Sequence, residues 1–300
     1  MEKKLVSVLI CTRNRGTAVS RCLDSLSRQD YPAASLDVSV LDDASSDGSA
    51  EHLRAALRRL SAAGFAGASL FESAENGQIA AGRAFLGERV PQGAEYVLFL
   101  DDDAELPPNA VAAMAAFLRD NPGAGAVGPR IAALSSPAVT AHRANFISWL
   151  GRYYEKDASE PLECDWLNST CLMVRAEALR GTGGFYPGYY TAHEEVDFCL
   201  RLRASGWQTV YLPSVTVLHD IVPGGTKRDR LYYLYRNKIL MFRRNFALPR
   251  RVAADLLVLL FGLPKYILES LRASGGAEIP VILRAVWHGL SGREGKGPEN

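Results

Sequence analysis

Short apolar runs alternate along the first 130 residues with longer segments that carry apolar residues every three or four positions. The apolar runs predict strands over 6–11, 37–41, 68–72, 96–100 and 124–129. The segments between them predict helices over 17–28, 50–62, 77–87 and 109–119. Strands without polar alternation are typical of a parallel sheet that is covered on both faces. The pattern therefore predicts an α/β fold with a central, mostly parallel sheet flanked by helices.

The alternation weakens after residue 130. Residues 135–163 have no clear period and are expected to be irregular, whereas two further strands are predicted over 165–174 and 209–218. Helices are predicted over 194–205 and 231–246, each with apolar residues on one face. We therefore expect one domain over 1–225, with halves 1–129 and 130–225, followed by a basic, amphipathic helical region over 226–300.

The charge of the chain is balanced overall but uneven along its length. Lys and Arg number 34 and Asp and Glu number 33, which argues against a nucleic-acid partner held by bulk charge. Residues 227–251 alone hold nine basic side chains and one acid, and the apolar stretch 256–263 follows. Two interpretations stay open, namely peripheral contact of 227–263 with an anionic membrane, or a packed helix whose basic face is solvated.

The cysteines and the N-terminus indicate a cytoplasmic protein. Five cysteines lie far apart without a CxxC pair, as expected for reduced thiols. The N-terminal apolar run is too short for a secretory signal, and no run reaches the length of a membrane span. The expected location is the cytoplasm, at the inner face of the cytoplasmic membrane if the basic region contacts lipid.

Acidic side chains follow two of the predicted strands. Asp42 and Asp43 follow one strand, and Asp101, Asp102 and Asp103 follow another. Ligands of open parallel sheets bind beyond the carboxyl ends of the strands. Acids are also common turn formers, which leaves the first pair ambiguous. Three adjacent carboxylates repel one another, so we expect a hard divalent cation, Mg²⁺ or Mn²⁺, to be bound there.

A third acidic group opens the helix predicted over 194–205. Glu194 and Glu195 face a cleft if the apolar residues of that helix are buried, and either carboxylate can then act as a general base. Simple capping of the helix N-terminus is the alternative. His219 ends a predicted strand before Gly224 and Gly225, and its roles as a metal ligand or as a structural hydrogen-bonding group both stay open.

Several nucleotide-dependent and hydrolytic classes are disfavoured by missing motifs. No GxGxxG follows the first strand, and neither GxxxxGK[ST] nor GxSxG is present. A dinucleotide dehydrogenase, a P-loop NTPase and an α/β-hydrolase are therefore not expected.

Taken together, the motifs resemble those of family 2 glycosyltransferases with the GT-A fold. VSVLICTRNR is similar to the first strand and nucleotide loop of that family, and LDDASSDGS and FLDDDAELPPNAV are similar to its second-strand and DxD metal motifs. WLNSTCLMVRAEALRGTGGFYPGYYTAHEEVDF is similar to its acceptor strand, GGF turn and ED-type helix. VLHDIVPGGT and YYLYRNKILMF resemble segments of bacterial rhamnosyltransferase-like members. The resemblance spans about residues 5–246 in the order of the family.

This resemblance implies a GT-A-type nucleotide-sugar-binding fold with a C-terminal helical extension, and it implies roles for individual residues. The residues implied for donor binding are Thr12, Arg13, Asn14, Asp42, Asp43, Arg83, Asp101 and Asp102. Asp103 and His219 are implied as ligands of Mg²⁺ or Mn²⁺.

The residues implied for the acceptor are Trp166, Asn168 and Ser169. Glu195 matches the carboxylate that acts as the base, although the family usually has Asp there, so Glu194 stays open as the alternative.

The implied reaction is inverting transfer of a hexosyl or rhamnosyl group from a UDP-, dTDP- or GDP-linked donor. The acceptor would be a hydroxyl of a glycan or of a lipid-linked molecule. Two other readings are a non-catalytic nucleotide-sugar-binding member of the fold and a sugar-phosphate nucleotidyltransferase. The latter normally has a Gly-rich N-terminal loop, which CTRNRG matches poorly.

Overall fold

The computed structural model describes residues 5–220 and 228–298. Its strands in chain order are β1 (Val6–Thr12), β2 (Leu36–Asp42), β3 (Gly67–Glu72), β4 (Tyr96–Asp101), β5 (Ala104–Glu105), β6 (Ala124–Ala133), β7 (Ser136–His142), β8 (Ala144–Ile147), β9 (Tyr153–Lys156), β10 (Leu162–Cys164), β11 (Cys171–Arg175) and β12 (Gln208–His219). Its α-helices are α1 (Gly16–Ser27), α2 (Ser49–Ala62), α3 (Gln78–Gly87), α4 (Ala110–Asp120), α5 (Ala176–Thr182), α6 (Glu194–Ala204), α7 (Arg228–Asn245), α8 (Leu248–Leu257), α9 (Leu263–Ser274) and α10 (Ile279–Ser291).

The central sheet has the strand order β10-β12-β6-β11-β4-β1-β2-β3, with β5 and β7 paired at its side. β1 runs parallel to β2 and β4, and β2 runs parallel to β3, so these four strands end at one edge. β11 runs antiparallel between β4 and β6 and joins this half to the parallel pair of β6 and β12. The predicted α/β fold is confirmed, and its sheet is mixed.

Alternating residues of β1 pack into two apolar layers on opposite faces of the sheet. Val8 and Ile10 lie in the layer that contains the apolar faces of α1, α2 and α4. Leu9 lies in the other layer, with α3, α5, α6 and α7. Helices on both faces explain why the strands show apolar runs without polar alternation.

The prediction of an irregular segment over 135–163 was wrong, because four short strands, β7 to β10, lie there. Most of β7 and β9 is solvent-exposed, so these strands lack the apolar runs that mark buried strands. β8 and β9 form a separate antiparallel hairpin.

The strand predicted over 165–174 was also too long, since only its second half forms β11. The Asp165 carboxylate accepts a hydrogen bond from the Ile147 amide at 2.7 Å, and the Asn168 side chain accepts one from the Thr170 amide at 2.9 Å. These local hydrogen bonds favour a turn over a continued strand.

The C-terminal helices pack onto the second layer through α7. Gly289 of α10 allows close approach, because a Cβ there would lie 2.9 Å from the Arg236 carbonyl oxygen of α7. No helix within 5–220 or 228–298 is long and apolar enough to cross a membrane. The proposed boundary between residues 225 and 226, and the loop with Gly224 and Gly225, lie outside the described residues.

Candidate active site

The carboxyl edge of the parallel strands brings the Asp cluster together with the end of β12. β5 pairs antiparallel with β12 and sets Ala104 opposite His219. The His219 Nε2 atom therefore lies 3.0 Å from the Asp103 Oδ1 atom. One ligand atom each from Asp101, Asp103 and His219 lies within 4.8 Å of the others. This is the group that the sequence implied for a metal, with Asp101 added.

The three residues fit a hard divalent cation. Two carboxylates and an imidazole are ligands suited to Mn²⁺ or Mg²⁺. The buried Nδ1 atom of His219 has no hydrogen-bond partner in the described part of the chain, whereas its Nε2 atom faces Asp103. Burial acts to raise the pKa of Asp103, but the hydrogen bond and charge of His219 and the charge of Arg15 hold it below its usual value.

Asp102 faces away from this cluster toward β1. The Thr12 hydroxyl donates a hydrogen bond to the Asp102 Oδ2 atom at 2.6 Å. Arg15, which the sequence analysis did not select, lies 3.5 Å from Asp102 and also pairs with Asp103. Burial raises the pKa of Asp102 to about 7, and Thr12 and Arg15 oppose this rise.

Arg83 joins the Asp cluster to the start of α6. Its side chain is buried and donates to the Asp101 carboxylate at 2.7 Å and to the Glu194 carboxylate at 2.8 Å. Gly82 places it there, because a Cβ would lie 2.7 Å from the Cys11 sulfur and keep α3 away from β1. Burial raises the pKa of Glu194, while the charge of Arg83 opposes the rise. Glu194 is therefore an ion-pair partner of Arg83.

Glu195 differs from Glu194 because no ion pair holds it within the described residues. It lines a cavity of about 370 Å³, which Asp101 and His219 also line. Its Oε2 atom is buried without a hydrogen-bond partner in the described chain. Burial and then the charge of Glu194 raise the pKa of Glu195 to about 8. A carboxylate with a raised pKa on a cavity wall is suited to accept a proton.

The residues implied for the acceptor lie on the same cavity. Trp166, Asn168 and Ser169 line it, together with Tyr153 and His142, which the sequence analysis did not select. The Trp166 ring lies 5.7 Å from the Tyr153 ring, centroid to centroid. These residues come from the turn before β11, from the β8–β9 hairpin and from the end of β7, so only the tertiary structure unites them.

The remaining residues implied for the donor join two loops at the same edge of the sheet. Asp43 accepts hydrogen bonds from the Gly77 and Gln78 amides at 2.8 Å each, and so caps the start of α3. Asp42 accepts one from the Ser45 amide at 2.9 Å.

The first of these loops carries the other two residues implied for the donor. The Asn14 side chain accepts a hydrogen bond from the Ser46 amide at 2.8 Å. The Arg13 guanidinium is exposed and donates to the Ala44 carbonyl at 3.3 Å. The structure thus places Arg13, Asn14, Asp42 and Asp43 together at the ends of β1 and β2.

A strained loop before α6 is held by two polar residues of α7. Tyr190, Ala192 and His193 have φ values of 67°, 65° and 68°, which non-glycine residues rarely adopt. The Asn237 amide donates to the carbonyls of residues 189, 191 and 192 at 2.9, 2.5 and 2.9 Å. Arg236 donates to the carbonyl of residue 189 at 2.9 Å. Both side chains are fully buried, so we regard them as an anchor for the loop that leads to Glu195.

His193 ties the same loop to the cavity wall. Its Nε2 atom lies 3.1 Å from the Leu234 carbonyl oxygen and its Nδ1 atom lies 3.0 Å from the Tyr153 hydroxyl. Burial, and then the charge of Lys238, lowers the pKa of His193 to about 4. The neutral imidazole therefore donates to Leu234 and accepts from Tyr153. The sequence did contain a signal for this anchor, namely polar residues within the apolar face of the helix that forms α7. The sequence analysis missed it.

Comparison with known proteins identifies the family of the chain. The sequence model of glycosyl transferase family 2 matches residues 7–183. The chain belongs to this family. A second model, glycosyl transferase family group 2, matches residues 96–274. The enzyme is thus a glycosyltransferase, as the motifs predicted.

One similar protein is named for the transfer of a sugar. An N-acetylglucosaminyl-diphospho-decaprenol L-rhamnosyltransferase of Mycobacterium tuberculosis is 31% identical over 245 residues, which are 72% of this chain and 76% of the relative.

Solved structures with the same fold include nucleotide-sugar complexes. A mannosyltransferase from Pyrobaculum calidifontis in complex with GDP-Man and Mn²⁺ has a TM-score of 0.62 at 17% identity, over 98% of this chain and 89% of that one. S. aureus TarS 1–349 in complex with UDP-GlcNAc has a TM-score of 0.63 at 16% identity, over 96% and 81%. The chain spans 49% of the TarS chain in a longer structure. These likenesses confirm the GT-A fold.

We expect Asn237→Ala to impair this glycosyltransferase through the loop that leads to Glu195. Removing the amide leaves the carbonyls of residues 191 and 192 without this donor, while Arg236 still holds that of residue 189, and misplacing a catalytic group by about 1 Å lowers the rate roughly 100-fold. Transfer kinetics measure the loss in kcat. Asn245→Ala is the matched control, because Asn245 lies on the same helix but donates to Asp197 at 2.8 Å. Equal losses of kcat in the two variants would contradict a role for Asn237 in placing Glu195.

The raised pKa of Glu195 has a consequence for the stability of the transferase. Glutamate titrates near 4.3 in an unfolded chain, and the folded pKa is about 8. The folded enzyme holds an additional proton between these values, so the contribution of Glu195 to stability falls as the pH rises. Glu195→Gln should therefore raise the melting temperature, and the increment should be larger at pH 8 than at pH 5.

Thermal unfolding without donor or metal measures this increment. Each kcal/mol corresponds to a shift of about 2–4 °C for a chain of this size class. Comparing the variant with the wild type at each pH cancels the opposite effect of His193, whose lowered pKa costs stability as the pH falls. An increment that is the same at both pH values would show that Glu195 titrates normally.

Proposed function

We propose that the enzyme transfers a sugar, with inversion, from a nucleotide diphosphate donor to a hydroxyl of a lipid-linked acceptor. The observation that carries this proposal is the environment of Glu195. It is a carboxylate without an ion-pair partner in the described chain, on a cavity that also exposes Asp101 and His219. A base placed opposite a candidate metal site suits a single displacement, in which the acceptor oxygen attacks the face opposite the leaving group.

Individual residues have distinct roles in this proposed reaction. Glu195 removes the proton from the acceptor hydroxyl, whereas Glu194 is engaged in its ion pair with Arg83. Trp166 and Tyr153 form an aromatic wall on which the apolar face of a sugar ring packs. Asp101, Asp103 and His219 would hold Mg²⁺ or Mn²⁺. When bound, the cation supplies positive charge to the diphosphate of the leaving group.

The relative from M. tuberculosis supports a rhamnosyl-type donor and an acceptor built on a lipid diphosphate. The neighbouring structures contain GDP-Man and UDP-GlcNAc, so their fold accepts more than one nucleotide. We therefore carry UDP-, dTDP- and GDP-linked sugars forward as candidate donors.

A thermal-shift panel tests the donor site. UDP, dTDP and GDP are each added with and without Mn²⁺, because a ligand that binds the folded state raises the melting temperature by mass action. We expect one nucleotide to give a metal-dependent shift that Asp103→Asn removes. Absence of a shift with every nucleotide, together with absence of metal-dependent donor hydrolysis, would overturn the proposal in favour of a non-catalytic protein.

We also propose that the C-terminal helices contact a membrane surface. Large apolar side chains are exposed along α8, α9, α10 and the π-helical turn between α8 and α9, namely Leu248, Val252, Leu256, Leu260, Phe261, Leu268, Leu271, Leu283 and Trp287. Arg250, Lys265 and Arg272 accompany them, as is typical of surfaces that lie on anionic lipid.

This apolar surface adjoins the hairpin that lines the cavity. Arg250 of α8 donates to the carbonyls of Ser148 and Trp149 at 3.2 and 3.1 Å, and the Trp149 side chain is 60% exposed. Tyr153 of the same hairpin lines the cavity. A lipid-linked acceptor in the membrane would thus be presented close to Glu195.

Replacing both Leu260 and Phe261 with Ser should weaken binding to vesicles that contain phosphatidylglycerol by roughly 100-fold or more. Each large side chain contributes about 1.5–3 kcal/mol when it leaves water, and the two are 63% and 67% exposed. Co-sedimentation at low salt measures the binding. Val139→Ser is the control, because Val139 is 56% exposed on β7. Binding that survives the double substitution would contradict contact through these helices.

A further inference from the structure

Arg230 and Lys238 of α7 have neither an ion pair nor a side-chain hydrogen bond to another described residue. Arg236 is used in the loop anchor, and Arg244 pairs with Asp197 at 3.1 Å. Arg243 donates to the carbonyl of residue 290 at 2.7 Å. Arg230 and Lys238 have no such ion pair, and with Leu234 they occupy successive turns of one helix face. Arg230 and Leu234 line the cavity that contains Glu195.

Lys238 lies against the aromatic wall of this cavity. Its Nζ atom is 4.9 Å from the centroid of the Tyr153 ring and 6.0 Å from that of Phe242. The side chain is half-buried, and its charge reaches His193, whose pKa it lowers. Burial, and then the charge of Arg152, lowers the pKa of Lys238 itself. Lys238 and Arg152 have no anionic partner among the described residues, and the charge of Arg152 disfavours the charged form of Lys238, so an anionic ligand would be stabilising there.

The position of these cations favours the acceptor over the donor. The candidate donor site is lined by Asp101 and Asp103, which repel a diphosphate unless a cation lies between them. Arg152 and Tyr153 belong to the turn and hairpin that also carry the exposed Trp149. An acceptor approaching from the exposed apolar surface would therefore pass the cations before its hydroxyl reached Glu195.

We propose that Lys238 and Arg152, with Arg230 at the mouth of the cavity, bind the phosphate groups of a lipid diphosphate acceptor. This inference rests on the proposed function in its choice of acceptor. The cations hold the anionic linker away from the carboxylates of Glu194 and Glu195. Lysine and arginine are the usual partners of phosphate. Hydrogen bonds between charged groups are stronger than those between neutral groups.

A binding measurement tests the site without catalysis. Calorimetry with geranyl diphosphate is performed in a chelator, so that the candidate metal site makes no contribution. We expect binding that Lys238→Met weakens roughly 10- to 100-fold, with recovery in Lys238→Arg. Geraniol should not bind measurably, and inorganic phosphate should bind more weakly than the diphosphate. Arg119→Met, a substitution at an exposed position of α4, is the charge-matched control and should have no effect.

Transfer kinetics test the same site in the working enzyme. The acceptors are a short-chain prenyl-diphosphate sugar and the alkyl glycoside of the same sugar. Lys238→Met should raise KM for the diphosphate acceptor by roughly 10- to 100-fold and leave KM for the glycoside within about twofold. An equal change for both acceptors would overturn the proposal.

Two further results distinguish a failure of the proposed anion site from a failure of the proposed function. Lys238-dependent binding of geranyl diphosphate in an enzyme that transfers no sugar would support the anion site and contradict only the proposed function. Binding of phosphatidylglycerol vesicles that depends on Lys238, without binding of geranyl diphosphate, would overturn the proposal and assign the cations to the membrane surface.

Discussion

Glu195→Gln should lower the rate of sugar transfer by roughly 100- to 10,000-fold, which is the contribution expected from a general base. Glutamine preserves the shape of the side chain but cannot take the proton. The nucleotide and metal are bound at the ends of β1, β2 and β4 in the proposed mechanism, so the metal-dependent thermal shift should be retained. Steady-state kinetics with saturating donor, together with that thermal shift, measure the two effects separately.

Two companion variants give this prediction its controls. Glu195→Asp keeps a carboxylate on the cavity wall and should retain much more activity than the glutamine variant. Glu194→Gln removes a partner of Arg83 and should act mainly on stability, because the Glu194 carboxylate lies 2.8 Å from the Arg83 guanidinium. Near wild-type turnover of Glu195→Gln would exclude Glu195 as the base.

Arg83→Met should lower the free energy of unfolding by about 3–5 kcal/mol, the usual cost of removing one partner from a buried ion pair. Both carboxylates that Arg83 joins, Asp101 and Glu194, would lose their counter-charge, and Glu194 is buried. The hydrogen bond to the Ser169 carbonyl at 3.2 Å would be lost as well. Urea denaturation followed by tryptophan fluorescence measures the change.

Arg54→Met provides the surface comparison for Arg83. Arg54 pairs with Glu72, and both side chains are about half exposed, so the loss should stay below about 1 kcal/mol. Arg83→Lys should be intermediate, because an ammonium group lacks the fork that reaches two carboxylates at once. Losses of similar size for Arg54 and Arg83 would show that the buried network contributes little to stability.

The two predictions are linked through Glu194, which pairs with Arg83 and precedes Glu195 in the chain. Arg83 neutralises Glu194, and Glu194 in turn raises the pKa of Glu195. Losing Arg83 should move the activity profile of the enzyme to higher pH as well as destabilise it, because Arg83 also acts to lower the pKa of Glu195.

The α/β fold was predictable because the signal for it is local. Buried parallel strands appear as apolar runs, and the helices that cover them show a 3.6-residue period. The edge of the sheet that carries the site was predictable for the same reason, since Asp42 and Asp101 directly follow runs that form β2 and β4. The exposed strands β7 and β9 gave no such signal and were missed.

The sequence by itself determined the parallel half of the sheet, the edge at which the acidic residues meet and the family motifs. Only the tertiary structure decided which of the two glutamates on the cavity is paired with Arg83 and which has no ion pair with another described residue. Arg83 and Glu194 lie 111 residues apart, and the anchor from Asn237 to the loop before α6 spans 45 to 48 residues. Hydrophobic periodicity reports whether a residue is buried, but a polar residue finds its partner only when the packing of distant elements brings the two together.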